Sequence, residues 1–196
     1  DLTQAMATGA RNHGAEIYRN TSVIGIKQTT DSWVVNTDKG GIECEHVVSC
    51  SGNFARQTGR MVGLEIPVIP VEHQYIVTEP HPEIQKRRKE GQPEMGVLRD
   101  ADNSWYMREE AGGLLLGPYE KGAPCCYVDG PSKDSEYELF QEDLDRLAPH
   151  IEGAIKRVPA FGEVGVKKVY NGAICYTPDG NPIVGPAWGL KNFWIN

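Results

Sequence analysis

The 196-residue sequence has no apolar run of the roughly 18 residues needed to cross a bilayer as a helix, so no membrane span is expected. It has little positive charge. With 20 Lys and Arg against 27 Asp and Glu, the net charge is -7, which argues against a non-specific nucleic-acid binder with its basic stripe. It contains no CxxC pair, so a structural zinc site is not expected and no metal is assigned. Its five cysteines are odd in number and irregularly spaced, which excludes a disulfide framework and fits a reducing compartment. Cys44 and Cys50 stand in apolar strand contexts and read as small core residues, whereas Cys125 and Cys126 lie in a loop with nothing nearby to lower a thiol pKa. There is no GxGxxG, no initiator Met, and "NFWIN" at the end reads as a strand without a terminator, so an internal fragment of a longer chain is expected.

What is present reads as two textures. Leu2, Met6, Ala10 and His13 stand at helical spacing, with Gly14 closing a helix over 2–15. "EIYRNTSVIGI" is rich in strand formers, and "WVVNTDKGGIECEHVV" reads as a hairpin turning at Asp38 to Gly41, its second arm running on through Val47 and Val48. A short helix over 54–62 ends at Gly63. This rhythm predicts α/β layering. Beyond Pro67, "HQYIVTE", "VLRD", "SWYMRE" and "LLLGPY" predict an antiparallel meander, which can keep one face open. Residues 87–94 read as a charged loop, and 139–158 as one long amphipathic helix kinked by Pro149. The expected organisation is residues 1–66 in an α/β layer, 67–168 in an antiparallel-sheet domain, and 169–196 returning to the first layer.

"VVSCSGNFA" (47–55) strips its side chains away at a strand end. A turn that needs Gly explains it, and so does a ligand lying against the backbone, as at strand ends in open α/β sheets. In "EHQY", His73 and Tyr75 are two apart on a strand and share a face. So do Tyr106 and Arg108 in "SWYMRE", where Trp105 reads as packing. Arg108 is either a carboxylate clamp or a solvated surface arginine. Asp179 in "TPDGNPIVGP" can cap a following backbone N–H in a rigid turn.

Taken in order, "LTQAMATGARNHGAEIYRNTSVIGI", "IECEHVVSCSGNFARQTGRMVGLEIPVIPVEHQYIVTE", "LLLGPYE", "HIEGAIKRVPAF" and "YTPDGNPIVGP" resemble the FAD-dependent amine oxidoreductases of the D-amino-acid oxidase superfamily, within it the dimethylglycine and sarcosine dehydrogenase branch. The resemblance implies a Rossmann-like FAD layer beside an antiparallel sheet that roofs the substrate cavity, and oxidation of an N-methyl amino acid by hydride transfer to FAD. It implies that Ser51 and Gly52 line FAD, that the strand at Val23 passes the adenine and pairs with it through its backbone, and that the Asp179 turn leads toward the flavin. It implies that His73 and Tyr75 face the flavin as the catalytic pair; Tyr106 and Arg108 in "SWYMRE" and Tyr119 in "GPYE" are read from the residues as substrate-binding candidates. The phosphate-cradling GxGxxG would lie upstream of Asp1 and a Gly-rich flavin loop beyond Asn196, so the fragment alone is expected not to hold FAD. Implied partners are an N-methyl amine substrate, an electron-accepting flavoprotein, quinone or oxygen, and folate through a module outside this chain. The location implied is the cytoplasm for a bacterial parent or the mitochondrial matrix for a eukaryotic one. Alternatives on the same scaffold are a non-catalytic relative like the regulatory subunit of pyruvate dehydrogenase phosphatase, or an oxidase of D-amino acids or glycerol phosphate. Retention of His73 and Tyr75 favours catalysis.

Overall fold

The computed structural model describes residues 2–136 and 138–196. In chain order it forms α1 (Leu2–Asn12), β1 (Val23–Gln28), β2 (Trp33–Thr37), β3 (Gly40–Cys44), β4 (Val47–Ser49), a 3-10 turn (Gly52–Phe54), α2 (Ala55–Arg60) and β5 (Ile69–Thr78). There follow α3 (Pro82–Lys89), β6 (Leu98–Asp100), β7 (Trp105–Glu110), β8 (Gly113–Pro118), α4 (Leu144–Arg157), a second 3-10 turn (Pro159–Glu163), β9 (Val166–Tyr176), β10 (Gly185–Pro186) and β11 (Phe193–Ile195). These residues divide into two compact units, 1–50 with 57–65 and 183–196, and 51–56 with 66–182.

The first unit holds two three-stranded sheets, β1-β2-β3 and β10-β11-β4. The β2–β3 hairpin is present, but its second arm does not run on through Val48: the ladder ends at Trp33↔Cys44, and β4 instead pairs in parallel with β11. The Val47 N–H, bonded to the Asn192 carbonyl at 3.0 Å, commits β4 to that sheet. Trp33 packs against Phe193 with ring centroids 5.2 Å apart, and its indole N–H donates to the Lys191 carbonyl at 3.0 Å. The strand-rich run from Glu16 yields a strand only at Val23–Gln28. Cys44 is half-buried and Cys50 exposed, so neither is the core residue expected. Cys50 follows the buried Ser49 and so falls on the opposite side of the chain.

The second unit is built on one antiparallel sheet in the order β6-β7-β8-β5-β9. Strand alternation divides its faces. Ile76, Trp105, Met107, Leu114 and Leu116 point to one side and meet Ile84 of α3, Leu147 and Ala154 of α4, and Phe161 in a dry core. His73, Tyr75, Tyr106 and Arg108 stand at the alternate positions of the same strands. The meander of three strands over 98–118 is as expected. The expected return to the first layer at 169 is not what forms: β9 pairs with β5 from Ile69↔Tyr176 to Thr78↔Val166, which keeps residues 169–182 in the second unit.

Two helices differ from the sequence reading for capping reasons. Residues 82–89, expected in part as loop, form α3 because the buried His81 ring accepts from the Glu83 N–H at 3.2 Å and Pro82 suits the first helical position. The helix expected over 139–158 begins only at Leu144, where the Asp143 carboxylate accepts from the Arg146 N–H at 3.0 Å. The preceding residues bond to the sheet instead, Phe140 N–H to the Asn171 carbonyl at 2.8 Å and Asp143 N–H to Gln74 at 2.8 Å. The helix continues through Pro149. The helix expected over 54–62 is divided into the 3-10 turn and α2, with Gly63 at φ +77° beyond it.

Arg146, in the first turn of α4, fastens three segments. Its guanidinium donates to Glu120 at 2.7 and 3.2 Å, in the loop after β8, and to Glu72 of β5 at 2.8 Å. Asn171 of β9 donates to the same Glu72 oxygen at 2.9 Å. This bond, with the Arg146 charge, holds the Glu72 carboxyl below its ordinary 4.5 against the opposing effect of burial. A depressed folded pKa contributes stability above the unfolded value that is lost as pH falls through the folded one. The urea midpoint of the intact protein should therefore drop below pH 4.5, and Asn171→Leu should flatten that drop; an unchanged slope counts against the network. Leu116→Ala, at a position with no exposure, should cost about 3 kcal/mol in the same urea titration.

Candidate functional site

The sheet face turned away from the helices is lined with aromatic and charged side chains. Tyr75 lies opposite Tyr170 in the β5–β9 ladder, and the two rings stack with centroids 4.8 Å apart and planes 18° from parallel. Lys168 Nζ sits 4.5 Å from the Tyr170 ring centre, a cation–π contact. On the other side, Tyr106 of β7 faces Gly117 of β8 and lays its ring across it: a Cβ at Gly117 would come within 2.2 Å of that ring. Gly117 is therefore the gap that lets Tyr106 lie along the sheet. Together these residues bound an open cleft of about 480 Å³ with Arg108, Glu110 and the two lysines 167 and 168.

Burial raises the Tyr75 and Tyr106 phenols above their ordinary 10.0, so both are protonated donors near neutral pH. Arg108 pairs with Glu110 at 2.6 Å and donates to the Glu109 carbonyl at 3.0 Å. It stands on the open face as expected, with its charge already engaged.

His73 shares the face with Tyr75 but opens on a neighbouring cleft with Tyr119 and Glu120. Burial lowers its pKa below 6.5, only partly offset by the charge of Glu120, so the ring is neutral at pH 7. Tyr119 links the two clefts: its ring lies 6.3 Å from His73 and 5.7 Å from Tyr106, with the Arg99 guanidinium 5.2 Å from its centre. Four of the five residues singled out in the sequence for the substrate and its chemistry thus stand on one face of one sheet, and Tyr119, just after β8, packs beside His73 and Tyr106. Sequence reading missed Tyr170, Lys168, Glu120 and Arg146. The cross-strand register that brings Tyr170 onto Tyr75 depends on a pairing between strands about ninety residues apart, for which spacing gives no signal.

The residues assigned to FAD do not gather in one unit. Val23 opens β1 in the first unit and is exposed, its backbone paired opposite Thr37. Ser51, Gly52 and Asp179 belong to the second. Gly52 adopts φ +53°, and a Cβ there would meet nothing within 4 Å, so its backbone is open to a ligand. Next to it, the buried Asn53 Oδ1 has no hydrogen-bond partner among the described residues. An uncovered backbone beside an unsatisfied buried acceptor fits a flat polar cofactor. Asp179 accepts from the Asn181 N–H at 3.0 Å and the Thr177 hydroxyl at 2.9 Å, so it caps its turn, and these bonds lower its pKa. Among the described residues no three His, Cys, Asp or Glu side chains are grouped to hold a metal ion, and no helix is long and apolar enough to cross a membrane.

The chain is 39% identical over 200 aligned residues to dimethylglycine dehydrogenase, mitochondrial, of Rattus norvegicus, covering 99% of this chain and 23% of that protein. It is 36% identical over 188 residues to sarcosine dehydrogenase, mitochondrial, of Mus musculus, covering 93% of this chain and 19% of that one. It therefore spans about a quarter or less of these relatives. Among solved structures, L-proline dehydrogenase from P. horikoshii superposes with a TM-score of 0.77 at 25% identity, over 99% of this chain and 48% of that one. The model of the DAO family, FAD dependent oxidoreductase, matches residues 1–196, and the chain belongs to that family.

Proposed function

We propose that the chain is part of a flavoprotein that oxidises an N-methyl amino acid such as dimethylglycine or sarcosine. One observation carries this reading: in a member of an FAD-dependent oxidoreductase family, Tyr75, Tyr106 and Tyr170 wall a cleft on the open face of the antiparallel sheet. Tyrosine faces suit the cationic methylated amine, and the Arg108–Glu110 pair sets polar groups at the rim. FAD, when bound, supplies the hydride acceptor. The backbone N–H groups at Ser51 and Gly52 and the strand at Val23 are assigned to hold it, with the Asp179 turn fixing the segment that follows.

Within the chain, Tyr75 donates a hydrogen bond that orients the substrate. His73, neutral at pH 7 and placed beside Tyr119, takes or relays the proton that the substrate ammonium must lose, since only the free amine has a lone pair to assist C–H cleavage. Tyr119 and Tyr106 bridge the two residues. Electrons leave to a flavoprotein, a quinone or oxygen, and a folate module elsewhere in the protein captures the one-carbon product. The cytoplasm or the mitochondrial matrix is the setting.

The deciding experiment is the visible spectrum of the intact, FAD-loaded protein mixed anaerobically with dimethylglycine. The flavin band should bleach; a band that persists with both dimethylglycine and sarcosine overturns the reading. Tyr75→Phe should slow bleaching at least about tenfold. The acidic limb of the kcat/KM profile should have its midpoint on the acid side of the ordinary histidine value of 6.5, and His73→Asn should abolish that limb if His73 handles the proton.

A further inference from the structure

The open cleft carries two cations that strand alternation alone would not place together. The β5–β9 ladder runs residue for residue from Ile69↔Tyr176 to Val77↔Lys168, and then Thr78 faces Val166. Lys167 is therefore an extra residue, a β-bulge in β9. On a regular strand Lys167 and Lys168 would point to opposite faces. The bulge sets two residues against one and re-aims the side chain, and both lysines line the cleft. Each of the two is exposed at its residue.

Charge within the cleft is then unequal. Arg108 and Glu110 offset each other at 2.6 Å. Lys168 lies over the Tyr170 ring, a contact that fixes its position without neutralising it. Neither lysine forms an ion pair among the described residues. In a chain of net charge -7, two uncompensated cations beside a tyrosine wall form a local anion site. Arg108, for which the sequence left a carboxylate clamp open as one of two readings, already holds a carboxylate of its own.

We propose that the bulged Lys167–Lys168 pair, rather than Arg108, receives the carboxylate of the substrate, with the amine directed toward the tyrosine rings and Glu110. This rests on the reading of the cleft as the substrate site. Two ammonium groups lining one cleft attract a carboxylate by their charge, whereas a neutral amine of the same size gains nothing from them.

The test uses the intact FAD-loaded protein and methoxyacetate, a small carboxylate without an amine, titrated calorimetrically. Binding should weaken at least fivefold in the double variant Lys167→Gln/Lys168→Gln and return with Lys167→Arg/Lys168→Arg. Lys156→Gln, on α4, controls for loss of one charge. Near-ultraviolet circular dichroism of the double variant checks that the sheet is intact. No binding by the parent protein, or a loss under fivefold in a folded double variant, overturns the proposal. Because methoxyacetate is not oxidised, the result is independent of turnover. A parent that binds methoxyacetate through the lysines yet is not bleached by dimethylglycine refutes the proposed activity and leaves the anion site standing.

Discussion

The open face of the second unit depends on the sealing of the opposite one. Trp105, Ile76, Leu116 and Leu147 have essentially no exposure, and the helices α3 and α4 close over them. Burying these side chains holds the five strands in register. With that register fixed, every alternate residue is delivered to the open side at a set position. With the dry core on the opposite side, the open face can carry tyrosines, an arginine, lysines and a histidine that a core would not accept.

The polar fastener around Arg146 extends that rigidity to the loop after β8. Its guanidinium satisfies the nearly buried Glu120 carboxylate with two hydrogen bonds and reaches Glu72 with a third. A charge buried to that degree needs a partner, and the same bonds place Tyr119 between His73 and Tyr106. Space is handled as strictly as charge. Gly117 has no side chain because the Tyr106 ring occupies that volume, and Gly172 stands opposite His73 in the β5–β9 ladder.

The chemistry proposed for this face divides among segments in a consistent way. β5 supplies His73 and Tyr75, β7 supplies Tyr106 and Arg108, and β9 supplies Tyr170 and the bulged lysines. Two of the four cofactor-facing assignments, Ser51 and Gly52, fall where side chains are small or absent. There the open Gly52 backbone and the Asn53 oxygen without a hydrogen-bond partner support the proposed cofactor contact. The family match over the whole chain and these local marks point the same way.

The sequence by itself determined the meander over 98–118, the shared face of His73 and Tyr75, that of Tyr106 and Arg108, and the turn capped by Asp179. Each follows from local periodicity or from a side chain bonding its own neighbours. The ordered motifs also determined the family. Tertiary structure decided the rest. Whether β4 extends a hairpin or joins β11, where α4 begins, to which unit residues 169–182 belong, and which tyrosine stacks on Tyr75 all depend on hydrogen bonds between residues far apart in the chain. The two lysines show the difference most clearly. In the sequence they are adjacent charges that a strand would send to opposite faces, and only the one-residue mismatch between β5 and β9 turns both toward the cleft.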